Sequence, residues 1–325
     1  MTRAVQGMLL AVLMAAFPLS AIAQAYPARP IRVLVPFPPG GTPDIQIRML
    51  AEKLTPRLGQ QIVIDNRGGA SGNVGMDIVA RAPADGYTLL IGTVGNWTVN
   101  PHLHKQPFNV LTDFAPIIHI ASGPAVLVVH PALPVTNVKE LIALAARKPG
   151  ELNYGGSGVG GFGHICAELF SSMTRIKLTH VPYKGVAFAM TELIGGQIQL
   201  MFNSAVPTLP HIKAGRVRAL ATTGATRFAA MAELPTIAEA GVPGYENLTW
   251  SLIAAPSRTS PAIVERLNRE IDTVLQIPDI KERFAAAGST VTGGSAKLAQ
   301  DILKSELAKY GKLVVDAGIL PVTGL

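Results

Sequence analysis

The sequence holds one cysteine, Cys166, in 325 residues. An internal disulfide is therefore excluded, and the fold is held by its core whatever the redox state of its surroundings. Charged residues are sparse at 15% and aromatics at 6%. The bases are scattered, with no dense Lys/Arg run and no interleaved aromatics. The net charge of +7 therefore carries no nucleic-acid footprint. Past the N-terminus, no apolar run approaches the ~20 residues of a membrane helix. Walker lysine, HExxH and EF-hand patterns are absent. His102 and His104 alternate in what reads as a loop, but without a further ligand nearby they are expected to face solvent rather than a metal.

What is present begins with an export signal over residues 1–25. Arg3 gives the positive start, Met8 to Phe17 the apolar core, and Ala21–Ile22–Ala23 or Ala23–Gln24–Ala25 the small-residue cleavage frame. No cysteine stands near the cleavage site to carry a lipid. The full chain is 48% hydrophobic, has no low-complexity block, and is long enough for two lobes.

The organising pattern is a strand, a Gly-rich polar turn and a helix, repeated. Val33–Val35 runs through Pro36–Phe37–Pro38–Pro39–Gly40–Gly41–Thr42–Pro43–Asp44 into a helix to Leu54. Gln61–Arg67 runs through Gly68–Gly75 into a second helix, and Tyr87–Thr93 ends in the polar loop Val94–Asn100. Strands alternating with helices predict a parallel sheet, with ligands collecting beyond the carboxyl ends of the strands. Phe114–Val129 reads as two apolar runs around Ala121–Ser122–Gly123–Pro124, crossing into a second lobe. That lobe repeats the pattern at Ser157–Gly161, Tyr183–Gly185 and Asn203–Ser204. A short capped helix over Leu234–Gly241 and a strand at Trp250–Pro256 return the chain to the first lobe, and Ser260–Pro261 starts a long helix.

Gly156–Ser157–Gly158–Val159–Gly160–Gly161 satisfies the G-x-G-x-x-G pattern. It is far from the first strand, however, and Arg175–Ile176–Lys177 stands where a ribose-binding acid belongs, so a dinucleotide is not expected. Around Ser157 a nucleophile elbow is nearly formed, but Val159 replaces its second glycine. A secreted hydrolase using Ser157 and His164 stays open as an alternative. What the loops share is polar, Gly-rich backbone with almost no acids or bases, as in a cleft that closes over a small solute rather than one that does acid–base chemistry. The lobe 1 loops supply Phe37, Gly40, Gly41, Thr42, Asn66, Ser71, Thr93 and Asn96 as candidate ligand contacts. Those of lobe 2 supply Ser157, Gly158, His164, Tyr183 and Asn203.

The mature chain resembles, throughout its length, the Bug-type extracytoplasmic receptors of tripartite tricarboxylate transporters. The resemblance rests on Tyr26–Pro27, Arg29–Pro30–Ile31, Val35–Pro36–Phe37 with Gly40–Gly41 and Asp44, and Asn66–Arg67. It continues through Ala84–Leu90, Asp113–Phe114, His180–Gly185, Gly196–Gln197 with Met201–Phe202, and Leu234–Pro235–Thr236 before Gly241. It implies a two-lobe α/β periplasmic binding protein of type II, a Venus flytrap, with lobe 1 at 26–122 and 225–325 and lobe 2 at 123–224. It implies a monomeric periplasmic receptor, not an enzyme, that needs no cofactor or metal and hands an organic acid to membrane permease subunits. A signalling partner role is the other alternative. By the same resemblance, Gly40, Gly41 and Thr42 face Ser157 and Gly158 across one ligand carboxylate, while Asp44 serves the helix start. The sequence departs from the family at Pro38 and Pro39, which stiffen the turn, and at Gln199 and Asn203, where the family commonly has acids. A neutral Asn203 implies a mono- or dicarboxylate without a free amine. Phe37, Phe162, Tyr183 and Trp250 leave room for an aromatic one.

Overall fold

The computed structural model describes residues 26–319; the expected export signal lies outside the described residues. The chain opens with β1 (Ile31–Val35), α1 (Thr42–Leu58), β2 (Ile62–Asn66), α2 (Asn73–Ala80) and β3 (Thr88–Thr93). β1 pairs in parallel with both β2 and β3, as the alternation of strand and helix predicts. The apolar residues Ile31, Val33 and Val35 of β1 pack with Ile47, Leu50 and Leu54 of α1 in one core.

After β3 the sequence reading is corrected. Residues 94–103 are not a loop but a buried helical stretch, a π-helical turn at Gly95–Val99 running into α3 (Asn100–Leu103). Trp97, Val99 and Leu103 are buried along it, so apolar packing overrides the Gly and Pro in the segment. His102 falls within α3, while His104 follows it and is partly buried.

The crossover is also corrected. β4 (Phe114–Val129) is one continuous strand through Gly123–Pro124. Up to Pro124 it pairs with β9 (Leu248–Pro256); from Ala125 it pairs with β7 (Leu200–Ser204), and from Val126 with β8 (Arg218–Thr222). The proline stands where the strand passes from one set of partners to the next, and such a changeover tolerates a missing donor. Between β4 and β8 the second lobe contains α4 (Val138–Arg147), β5 (Asn153–Gly156), α5 (Phe162–Thr174), β6 (Thr179–Pro182), α6 (Val186–Ile194), β7 and α7 (Ala205–Lys213). Here β5 lies parallel to β6 and β7. Residues 234–241 form turns instead of the expected helix. Thr236 and Glu239 exchange capping bonds, yet Ala240 N to Thr236 O is followed only by the turn bonds Gly241 N to Ala238 O and Val242 N to Ile237 O, as Gly241 takes φ +117°.

β9 returns antiparallel between β3 and β4, followed by α8 (Pro261–Leu275), α9 (Pro278–Ala286), β10 (Thr290–Val291) and α10 (Ala296–Asp316). The fold is thus α/β and two-lobed, with β4 and β9 at the join. Along β4 the side chains alternate between cores, Ala125, Leu127 and Val129 in one and Val126 and Val128 in another. Among the described residues no helix is long and apolar enough to cross a membrane.

Candidate functional site

The β1–α1 corner is built around Asp44. Its carboxylate accepts from Gly40 N at 3.0 Å, from Arg48 at 2.9 Å and from Asn66 Nδ2 at 3.1 Å, while Asn66 also donates to Phe37 O. Burial alone would raise the Asp44 pKa. The bonds from Arg48, Gly40 and Asn66 outweigh that and hold the carboxyl below its ordinary value. Gly40 takes φ +89°, which lets the turn fold back onto Asp44. The Gly40 N–H is thereby spent inside the loop, whereas α1 starts at Gly41 without any side-chain cap.

Four helices begin this way around one chamber. The N-cap residues of α1, α5, α6 and α7 are Gly41, Gly161, Gly185 and Ser204, and none caps its helix with a side chain. Elsewhere Asn137 and Ser295 cap α4 and α10 with their side chains, whereas α2, α3, α8 and α9 also start without one, so what distinguishes the four is that their starts converge on one space. Each uncapped start leaves unpaired N–H groups and the positive end of a helix dipole. All four starts border a chamber of about 640 Å³ of empty space, part of it open to solvent. Convergent helix starts of this kind favour an anion.

The chamber's side chains are neutral. Among the described residues no Asp, Glu, Lys, Arg or His lines it. Thr42, Thr93, Ser157, Asn203 and Thr249 bring hydroxyl or amide groups, and Phe37 and Phe162 bring aromatic walls. Asn203 is only 3% exposed, and its Nδ2 has no hydrogen-bond partner. A buried polar group left unpaired is costly, so this amide is a group in want of a partner. An outer vestibule of about 1360 Å³ shares Phe37, Pro38, Pro39, Ser71 and Ser157 with the chamber and adds Asn66, Gly158 and Tyr183.

The structure brings Phe37, Gly41, Thr42, Ser71, Thr93, Asn96, Ser157 and Asn203 to the chamber wall. Asn96 is fully buried and also does structural work, accepting from Thr93 N at 3.2 Å and donating to Ser71 O at 2.9 Å. Asn66, Gly158 and Tyr183 reach the vestibule only, and Gly40 lines neither space.

His164 stands behind the chamber. Its ring lies against His180, with centroids 4.5 Å apart, and its Nδ1 accepts from Gly160 N at 3.4 Å. Burial, aided by His180 and His104, pushes its pKa down to about 3. Among the described residues no hydrogen bond joins it to Ser157, so the serine–histidine pair of the alternative hydrolase reading is not assembled. Trp250 lines neither space and donates to Glu306 Oε2 at 3.1 Å. The sequence reading missed Thr249, which arrives on β9 from far along the chain, and did not count Val186 and Ala187, at the start of α6, among the contacts. Gly185 was the only signal for the latter.

Comparison with known proteins places this architecture. The family model described as "Tripartite tricarboxylate transporter family receptor" matches residues 46–319. "Protein BugT" of Bordetella pertussis is 36% identical over 325 residues, covering 98% of each chain. Among solved structures, "R. palustris Rpa4515 with adipate" is 41% identical with a TM-score of 0.89, covering 91% of this chain and all of that one. "MatC (Rpa3494) from Rhodopseudomonas palustris with bound malate" is 27% identical with a TM-score of 0.85, covering 89% and 100%. "Structure of periplasmic binding protein BugD" is 32% identical at 0.88, covering 91% and 100%. From the uncapped helix starts to the whole-chain similarity, the chain belongs to the receptor family of the tripartite tricarboxylate transporters.

Proposed function

We propose that the protein is a periplasmic solute receptor that closes two lobes over a small organic mono- or dicarboxylate and delivers it to membrane permease subunits. In this reading residues 26–122 and 225–325 form one lobe and 123–224 the other, the export signal over 1–25 is removed, and the chain acts as a monomer without catalysis. The observation that carries it is the chamber itself: four uncapped helix starts and no ionisable side chain. A carboxylate entering it brings the only full charge, and the orphan N–H groups of Gly41 and Thr42 supply donors where a side chain would carry a counter-charge. Across the cleft the start of α5 does the same beside Ser157, and the unpartnered amide of Asn203 offers a further polar contact. The adipate- and malate-bound relatives support this choice of solute.

Isothermal titration of the purified protein with adipate and malate tests the proposal, with the corresponding diamides as controls. One-to-one binding of at least one acid, with no response to the amides, is expected. Equal binding of acid and amide would sink the carboxylate assignment. Turnover of simple esters that is lost in Ser157→Ala would instead favour the hydrolase.

A further inference from the structure

The Gly-rich loop Ser157–Gly161, whose pattern imitates a dinucleotide fingerprint, has another use in the structure. It lies on side chains of the opposite lobe. Ser71 Oγ donates to Val159 O at 2.8 Å, and His104 Nε2 stands 3.1 Å from the same oxygen. Two groups of one lobe thus converge on a single main-chain carbonyl of the other. The Nε2 bond requires that nitrogen to carry the proton, since a carbonyl oxygen only accepts.

The flanking glycines make the approach possible. A Cβ on Gly158 would stand 2.6 Å from Ser71 Oγ, and one on Gly160 would stand 2.6 Å from Asn100 Oδ1. Both glycines take positive φ, +99° and +82°. On the facing side, Gly95 would bring a Cβ to 3.0 Å from Gly160 O. The loop therefore meets the other lobe backbone-first along its length, and His104 and Val159 do so without lining the chamber.

We propose that Val159 O, held by His104 and Ser71, is a closure latch, and that His104 is a positioning residue for ligand capture that never touches the ligand. The proposal rests on the receptor reading. These contacts exist only with the lobes together, so they stabilise the closed form whichever ligand is inside. His104 thus scales affinity for every ligand by one factor and leaves selectivity alone. A bond of this kind is worth about 5- to 10-fold in affinity.

The test is titration of wild type, His104→Ala and His104→Gln with adipate and malate, together with small-angle scattering of each protein without ligand. His104→Ala is expected to weaken both acids by the same factor and to shift the unliganded protein toward a larger radius. The glutamine, whose Nε2 also donates, should recover most of the loss. Gly160→Ala blocks the same contact from the other lobe and should reproduce the uniform loss if His104→Ala does not fold. Unchanged affinity and radius in the variants, a changed adipate-to-malate ratio, or no recovery by glutamine would overturn the latch. If wild type binds neither acid, the solute assignment fails, and the radius of His104→Ala then judges the latch alone.

Discussion

Pro38 of one lobe and Gly185 of the other touch so closely that a Cβ on Gly185 would stand 3.1 Å from both Cδ and Cγ of the proline ring. Behind it the same ring abuts Gly68, where a Cβ would lie 3.0 Å away. The proline is thus wedged between its own lobe and the opposing one and has no room to retreat.

Gly185→Ala should therefore hinder closure without harming either lobe. Gly185 has an extended backbone that any residue adopts, with φ −179°, so the added methyl brings no backbone strain. We expect carboxylate affinity to fall about tenfold, in keeping with roughly 1–3 kcal/mol for overpacking, with the melting temperature of the unliganded protein within a degree or two of wild type. Calorimetry and thermal unfolding measured together check this. Full affinity in the variant would mean that the two lobes approach differently when loaded.

Asn203→Asp adds a carboxylate to a chamber that has no cation to receive it. Two like charges about 4 Å apart at an effective dielectric near 20 repel by several kcal/mol, so carboxylate binding should drop by at least about 100-fold at pH 7.5. Because a buried acid facing an anion has a raised pKa, the loss should shrink as pH falls toward 5. Titrations at the two pH values check this. A pH-independent loss would place Asn203 away from the ligand's charge.

Acid should weaken the fold before it weakens binding. Burial lowers the pKa of His119 and His180 to about 4 and that of His164, with help from His180 and His104, to about 3, against an ordinary 6.5. The unfolded chain takes up these protons first, so stability is full above about pH 6.5 and drains away as pH falls toward 4. The cost is on the order of 1–2 kcal/mol per histidine by pH 5. With no ionisable group in the chamber, affinity for a ligand that stays ionised should be flat across the same window. Melting curves and titrations from pH 8 to 5 separate the two. A flat melting temperature would show these imidazoles already charged in the fold.

The parts visible in the sequence were those written in local punctuation. Gly40–Gly41 after an apolar strand, Gly185 before α6 and Ser204 after β7 each announce a turn into a helix, and the chamber is made of such turns. What stayed hidden depends on partners remote in the chain. Pro124 reads as a break because nothing local says that β4 exchanges β9 for β7 and β8 at that point. The helical stretch at 94–103 is masked by its Gly, Asn and Pro content, and only burial of Trp97 against Phe114 reveals it. Thr236 and Glu239 form a capping box that has no helix to cap, since Gly241 ends the turn at once. Gly40 shows a tie that local punctuation does not announce: its freedom of backbone is real, and its N–H donates to Asp44 four residues on.

A strand that belongs to both lobes has a mechanical consequence. Were the lobes joined by slack linkers, opening would be free and its amplitude unlimited. β4 is instead hydrogen-bonded on both sides of Pro124, and Thr223 Oγ1 ties its Ala125 N to Asn247 O beside β9. Opening must then twist a paired ribbon, as a torsion bar is twisted, and the ribbon pushes back. In the receptor reading proposed above, that rebound belongs to the fold and not to the cargo, and every solute leaves along the same arc.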